Sequence, residues 1–162
     1  MRVWRVGRRS DSKYLLILCD DWGSPLVMEI GPCEAVSIWS AMRGKPARRI
    51  QDPEGPGAEG ERARIPAAHD LIDVMLTRLG GKLEKVVIDD LWNGTYYAKL
   101  HLAVDGQHMT VDGRPSDCVA LALRARALLY VTEEVMAASR EDDSPTRSEP
   151  EGGDPLAGLE DL

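Results

Sequence analysis

The stretch Arg114-Pro115-Ser116-Asp117 combines residue types that can do chemistry within one helical turn. Pro115 suits the first turn of a helix, where its missing N–H costs no hydrogen bond. Ser116 and Asp117 follow in the same turn, where oxygen acceptors and negative charge are favourable. The planar guanidinium of Arg114 can bind a carboxylate or a phosphate through two hydrogen bonds. The alternative interpretation is a plain helix start held by an arginine salt bridge.

His69 and Asp70 form a second candidate pair. They lie in a predicted helix over residues 66–79, where the spacing places His69 on the face of Ile72 and Leu76. Histidine titrates near neutral pH and can act as a general acid or base. A core histidine whose nitrogens are both hydrogen-bonded is the structural alternative.

Two turn signals, Asn93-Gly94 and Asp105-Gly106, predict hairpins joining strands at 83–92, 95–104 and 107–112. Two-residue turns fix the register, which sets Lys99 opposite Asp112 and Ile88 opposite Lys99. The predicted core face carries Val87, Leu91, Tyr96, Leu100, Leu102, Met109 and Val111. The opposite face carries Asp90, Tyr97, Lys99, His101, Thr110 and Asp112. Wet faces are common in antiparallel sheets, so surface ion pairs also explain this pattern.

The acidic residues near the Arg114 turn suggest a divalent metal site. Asp90, Asp112 and Asp117 could hold Mg²⁺ or Mn²⁺, which activates water and stabilises a phosphoryl transition state. This set comes from the acids alone, because the sequence has no zinc spacing, Gly-rich phosphate loop or Gly-x-Ser-x-Gly elbow. Cys118 lies within the predicted helix beside no identifiable base, so a role as nucleophile is not assigned to it.

The remaining pattern predicts one domain over 1–138. Strands are expected at 13–20, 26–30 and 128–131, with a helix at 34–42 and a last helix capped by Thr132. Residues 44–64 are rich in Gly, Pro, Glu and Arg and predict a mobile loop. Residues 139–162 hold eight acidic and two basic residues and predict a disordered acidic tail.

Composition limits the classes of protein. The net charge of −7 lies mostly in the tail, so it does not argue against a nucleic-acid partner. Basic clusters at 2–9 and 43–49 suit phosphate contacts or solvated surface equally well. No apolar run approaches the roughly 20 residues of a membrane span, and no membrane partner is expected. The widely spaced Cys19, Cys33 and Cys118 indicate reduced thiols in a cytoplasmic protein.

Four ordered stretches resemble the bifunctional nuclease domain family: 29–35, 69–71, 87–98 and 112–124. With the closing stretch 130–135, the resemblance covers residues 13–136. It implies an α+β domain with a mixed, largely antiparallel sheet and about four helices. It also implies nuclease activity on DNA and RNA and self-association. Ala68 departs from the family pattern, which has a threonine before His-Asp-Leu, and cannot cap its helix.

The resulting hypothesis is a cytoplasmic, homo-oligomeric nuclease that hydrolyses phosphodiester bonds in DNA or RNA, aided by Mg²⁺ or Mn²⁺. The expected catalytic residues are His69, Asp70, Asp90, Arg114 and Asp117. The expected substrate-binding residues are Tyr97, Lys99, Arg114 and Ser116, and the expected metal ligands are Asp90, Asp112 and Asp117. Two alternatives stay open: a nucleic-acid- or protein-binding regulatory module without turnover, and a small-ligand domain in which Arg114 binds a carboxylate.

Overall fold

The computed structural model describes residues 1–9, 11–43, 67–142 and 160–161. Within these residues the strands are β1 Arg2–Arg8, β2 Tyr14–Cys19, β3 Pro25–Ile30, β4 Gly81–Trp92, β5 Thr95–Val104, β6 Gln107–Gly113, β7 Leu128–Val131 and β8 Glu160–Asp161. The helices are α1 Pro32–Met42, α2 Ala68–Arg78, α3 Pro115–Ala125 and α4 Glu133–Asp142. The α+β class predicted from the sequence is confirmed, with two sheets where one was expected.

The first sheet has the strand order β3-β2-β1, all antiparallel, with the two residues of β8 paired to Gly7 and Arg8. The β2–β3 hairpin was predicted, and β1 was not. Its arginines favoured a solvated terminus, but Val6 is buried and the strand pairs along the length of β2. Seven of the eight residues in the predicted basic cluster 2–9 therefore belong to strand β1, while residues 44–49 of the other cluster lie outside the described residues.

The second sheet has the strand order β6-β5-β4-β7, and only β7 runs parallel to its neighbour. Lys99 pairs with Asp112 as predicted. The predicted pairing of Lys99 with Ile88 is wrong, because a register shift between Ile88 and Asp90 moves Val87 opposite Lys99. A bulge adds one residue to one strand, which two-residue turn geometry does not reveal.

The main core lies between the sheets and the helices and includes Leu16, Leu18, Leu26, Ile38, Val86, Ile88 and Val119. Two residues of the predicted core face, Met109 and Val111, are 43% and 45% exposed. They lie on β6, the edge strand of the second sheet, where no neighbouring strand lies beyond them in the described part of the chain. Leu100 and Leu102 pack against the core as expected.

Helix α2 turns only part of its predicted apolar face inward. Leu76 packs against the core, but Ile72 is 48% and Leu79 is 70% exposed. His69 lies on the inner face with Leu76, as predicted, and hydrogen-bonds to α1 and α3. Asp70, which the periodicity did not place on that face, also points inward and bonds to α3.

The ends of the predicted domain also differ in detail. Helix α4 continues to Asp142, so residues 139–142 are helical and not part of a disordered tail. Ser139 Oγ donates a hydrogen bond to the Met136 carbonyl, 3.1 Å away, as a hydroxyl can within a helix. The predicted loop 44–64 and residues 143–159 lie outside the described residues. No helix in the described part is long and apolar enough to cross a membrane.

Candidate active site at three helix starts

The first turns of α1, α2 and α3 line one cavity of about 470 Å³. Its wall is formed by Cys33, Glu34, Ser37, Ala67, Ala68, His69, Ile72, Arg114, Asp117 and Leu121. The N-cap residues Gly31, Ala67 and Arg114 make no capping bond through their own side chains. At the start of α2, Asp70 bonds to the Ala67 N–H. Free N–H groups and the positive ends of helix dipoles favour anions at such points. The cavity is therefore suited to an anionic group.

A continuous chain of hydrogen bonds crosses this cavity. Ser37 Oγ lies 2.9 Å from His69 Nδ1, and His69 Nε2 lies 3.0 Å from Asp117 Oδ1. Arg114 Nε donates to Asp117 Oδ2 at 2.7 Å, and Arg114 Nη2 donates to Glu34 Oε1 at 2.8 Å. The five side chains come from three helices and a strand–helix turn. Along this chain of contacts the groups are a hydroxyl, an imidazole, a carboxylate, a guanidinium and a second carboxylate.

Asp117 is held in its ionised form. Burial alone would raise the pKa of its carboxyl, but hydrogen bonds from Arg114 and His69, with their charges, outweigh burial. The pKa of Asp117 therefore lies below its ordinary value. An ionised carboxylate 3.0 Å from one ring nitrogen fixes the orientation of the His69 ring.

Arg114 is the most exposed member of the chain of contacts, with a side chain that is 69% exposed. Its Nε and Nη2 are occupied by the two carboxylates, and no described residue bonds to Nη1. Both carboxylates raise the pKa of the guanidinium, chiefly Asp117 through its hydrogen bond. The remaining N–H groups face solvent in a fixed orientation and can bind an oxyanion.

The structure places Asp70 behind the cavity wall. It accepts a hydrogen bond from Arg124 Nε and another from the Ala67 backbone N–H at 3.0 Å. Arg124 also donates to the carbonyl of Ala120 at 2.8 Å and lies 3.4 Å from the carbonyl of Ser37. The N-cap of α2 is Ala67 and not Ala68, the position expected from the sequence. Asp70 bonds to the Ala67 N–H there and ties α2 to α1 and α3 through Arg124.

The sheet-face residues of the hypothesis lie together, but not on the cavity wall. Lys99 Nζ bonds to Asp89 Oδ2, and Asp112 Oδ1 lies 3.9 Å away. Asp90 is exposed and pairs in register with Tyr97. Asp89, which sequence reasoning did not select, is the acid that Lys99 contacts most closely, because the bulge shifts the register there.

The predicted metal ligands are not brought together. Asp112 is directed toward Lys99, while both oxygens of Asp117 are bonded to His69 and Arg114. Among the residues that the structure describes, no three His, Cys, Asp or Glu side chains form a group that could hold a metal. The side chains of Asp90, Asp112 and Asp117 therefore do not fit a resident metal ion.

Two residues of the α3 start are buried away from the cavity wall. Ser116 is 9% exposed and is not among the lining residues, so the structure does not place it where substrate binding was expected. Cys118 is fully buried, and burial raises the pKa of its thiol to about 12. Its thiol therefore stays protonated at neutral pH, as expected for an unreactive cysteine.

Glu34 and Ser37 are site residues that sequence reasoning missed. They lie three residues apart on one face of α1. Glu34 also lies within the 29–35 stretch that resembles the family. The three-residue spacing is visible in the sequence, but only the fold shows that this face of α1 contacts His69 and Arg114.

Comparison with known proteins identifies the family. The family model of the bifunctional nuclease domain matches residues 57–144, which is more than half of the chain. The chain belongs to this family. Two uncharacterized proteins of Mycobacterium tuberculosis, from strains CDC 1551 / Oshkosh and H37Rv, are each 44% identical to it over 72 residues. The match covers 44% of this chain and 42% of each relative. His69, Arg114 and Asp117 lie inside the family match, whereas Glu34 and Ser37 precede it.

Proposed function

We propose that this bifunctional nuclease domain hydrolyses phosphodiester bonds of nucleic acid in the cavity between α1, α2 and α3. The observation that carries the proposal is the joint presence of Arg114 and the His69–Asp117 pair on one cavity wall. A phosphodiester carries a negative charge, which suits an arginine and three helix starts. A paired histidine supplies the proton transfer that hydrolysis requires.

Arg114 binds the non-bridging oxygens of the scissile phosphate through the N–H groups that Asp117 and Glu34 leave free. Its charge stabilises the negative charge that develops in the transition state, and its fixed orientation means that little reorganisation is needed. His69 accepts the proton of the attacking hydroxyl. Asp117 then faces a protonated imidazole, which it stabilises at a distance of 3.0 Å.

The first test is hydrolysis of labelled single-stranded DNA and RNA by protein freed of host nucleases. We expect Arg114→Ala to lower kcat/KM by about 10²-fold or more, because a transition-state contact is lost. Arg114→Lys keeps the charge but cannot reproduce the planar fork, so it should restore only part of the rate. Arg78→Ala, which removes an exposed arginine from the other end of α2, is the matched control. Equal rates for the Arg114→Ala and Arg78→Ala proteins would refute the assignment.

The need for a divalent ion is part of the same experiment. Hydrolysis is measured with Mg²⁺, with Mn²⁺ and with EDTA, for both DNA and RNA. Activity that EDTA abolishes would mean that an ion enters with the substrate or through residues outside the described ranges. Activity that persists in EDTA would mean that the protein side chains act without one.

A nucleic-acid-binding module without turnover is the second candidate function. It is favoured because no three His, Cys, Asp or Glu side chains among the described residues form a group that could hold a catalytic metal ion. Such a module would bind DNA or RNA with an affinity that falls as salt rises, and would not cleave it. Binding without cleavage by the wild-type protein, in every metal condition, would establish this function and exclude the nuclease.

We further propose that a second copy of the chain covers the outer face of α2. This helix exposes Leu71, Ile72, Val74, Met75 and Leu79, and none of its residues is fully buried. Met75→Lys should reduce the mass measured by light scattering toward that of one chain. Trp22→Ser, at the exposed tip of the β2–β3 hairpin, should leave the mass unchanged.

The location that we propose is the cytoplasm. The free thiols of Cys19, Cys33 and Cys118 suit that location.

A further inference from the structure

Both ring nitrogens of His69 are bonded inside the protein, to Ser37 on one side and Asp117 on the other. Neither nitrogen is left for direct contact with a water or a substrate. A proton that His69 accepts during hydrolysis must therefore come through one of these two partners. Since the pKa of Asp117 lies below its ordinary value, the carboxylate carries no proton to give near neutral pH. The hydroxyl of Ser37 is the remaining proton source.

We propose that Ser37 Oγ is a nucleophile that attacks phosphorus, with His69 as its base and Asp117 as the group that orients the base. The substrate class, a phosphodiester, rests on the proposed function. A hydroxyl within hydrogen-bond reach of a base, which a third group orients, is the arrangement that activates a nucleophile. The distances are 2.9 Å for Ser37 Oγ to Nδ1 and 3.0 Å for Nε2 to Asp117 Oδ1.

The hydrogen-bond pattern fixes the tautomer. Ionised Asp117 accepts only, so Nε2 of the neutral imidazole carries the proton and donates it to the carboxylate. Nδ1 then has a lone pair, and Ser37 Oγ donates to it. The hydroxyl proton of Ser37 already points at the atom that would remove it.

The surroundings of Ser37 fit the role. The residue is 9% exposed and lines the cavity, beside the wall that carries Arg114. Burial of the Ser37 hydroxyl strengthens the electrostatic contacts that it makes. Arg114 stabilises the phosphoryl oxygens while Ser37 attacks. Ser37 stands in the interior of α1 without capping or ending it, so its hydroxyl is not explained by helix formation.

The reaction has two balanced steps. In the first, the Oγ–P bond forms and the P–O bond to the leaving nucleoside breaks, while the Ser37 proton moves to His69 Nδ1 and on to the leaving oxygen. In the second, the esterified Ser37 Oγ no longer has a proton to donate, so Nδ1 is free to take a proton from the water that attacks phosphorus. The Oγ–P bond then breaks, and Ser37 Oγ regains a proton from His69.

The test uses a fluorophosphonate probe, which needs no nuclease activity. Ser37 Oγ would bond to the probe phosphorus and fluoride would leave, which peptide mass spectrometry detects. We expect labelling at Ser37, absence of that label in Ser37→Ala, and a rate about 10²-fold lower in His69→Gln. Ser139→Ala, at a serine of α4 that lies outside the cavity lining, should be labelled like the wild type. No label on Ser37 of the folded protein, or a rate that does not depend on His69, would overturn the proposal.

Nuclease assays on the same variants separate the two proposals. Alanine has a higher helix propensity than serine, so Ser37→Ala should fold, and circular dichroism checks this. Labelling of Ser37 without nucleic-acid hydrolysis by the wild type would support Ser37 as a nucleophile and contradict the proposed nuclease activity. Hydrolysis that needs Arg114 but survives in Ser37→Ala, with no label at Ser37, would contradict the nucleophile and support the nuclease.

Discussion

His69 Nε2 and Asp117 Oδ1 lie 3.0 Å apart although the two residues are 48 positions apart in the chain. The β4–β5–β6 hairpins occupy the intervening sequence and return the chain to the place where it left α2. The first turns of α2 and α3 consequently face one another. This contact joins the two parts of the chain that carry candidate chemistry.

Glu34 should act by orienting Arg114. Glu34→Gln keeps the size of the side chain but replaces a charged acceptor with a neutral one, which weakens the contact with Arg114 Nη2. We expect kcat/KM for nucleic-acid hydrolysis to fall between about 10- and 100-fold, the loss typical of a misplaced contact group.

Glu29→Gln is the matched control, because Glu29 is an exposed carboxylate of β3 bound to Lys13. Steady-state kinetics on both variants measure the effect. If the Glu29→Gln and Glu34→Gln proteins hydrolyse at the same rate, Glu34 does not position Arg114.

Asp70 should matter for stability more than for chemistry. The side chains of Asp70 and Arg124 are 17% and 9% exposed, and removing one partner leaves the other buried without its counter-charge. Asp70→Ala should lower the free energy of unfolding by about 3 kcal/mol, measured by urea denaturation.

Asp21→Ala, at the tip of the β2–β3 hairpin, should change the stability little. Below the unfolding transition, the Asp70→Ala protein should keep most of its hydrolytic rate per folded molecule. A stable Asp70→Ala protein that has lost all activity would instead support the catalytic role expected from the sequence.

Asp73 should make the fold less stable as pH rises. Burial raises the pKa of its carboxyl, with Arg124 opposing and Asp70 adding to the shift. The unfolded carboxyl ionises near 3.8, so the folded state holds more protons between that pH and the raised pKa. The free energy of unfolding therefore falls as pH rises from about 3.8 to the raised pKa, and it stays lower at neutral pH.

Asp73→Asn removes the ionisation, so it should raise Tm at pH 7. The difference from the wild type should shrink as pH falls, and should be absent below about pH 3.8, where both side chains are neutral. Thermal melts at a series of pH values measure this. A Tm difference that stays constant with pH would contradict the assigned cause.

Local signals in the sequence were enough to predict several elements of the fold. Asn93-Gly94 and Asp105-Gly106 fix two hairpins, and both turns have left-handed backbone at their two residues, as those residue types allow. Pro115 marks the start of α3, and Lys99 lies opposite Asp112. Each of these features depends on a few neighbouring residues.

Features that depend on distant contacts were not predicted. The bulge that brings Asp89 to Lys99 leaves no sign in turn spacing. Periodicity assigned Ile72 and Leu79 to the inner face of α2 together with His69, but both apolar residues are exposed, and the contact with Arg124 turns Asp70 inward. The helical pattern indicates which residues prefer burial, and here polar contacts with neighbouring helices override that preference.

The central claim is that the cavity holding His69 and Asp117 hydrolyses phosphodiesters. Its most direct test compares the rate of cleavage of labelled single-stranded DNA and RNA by the wild-type and Asp117→Asn proteins, after circular dichroism shows that both fold. We expect cleavage by the wild type and a loss of about 10²- to 10⁴-fold in the variant, because His69 loses its orienting carboxylate. Cleavage by the Asp117→Asn protein at the wild-type rate would contradict a role for this cavity in hydrolysis.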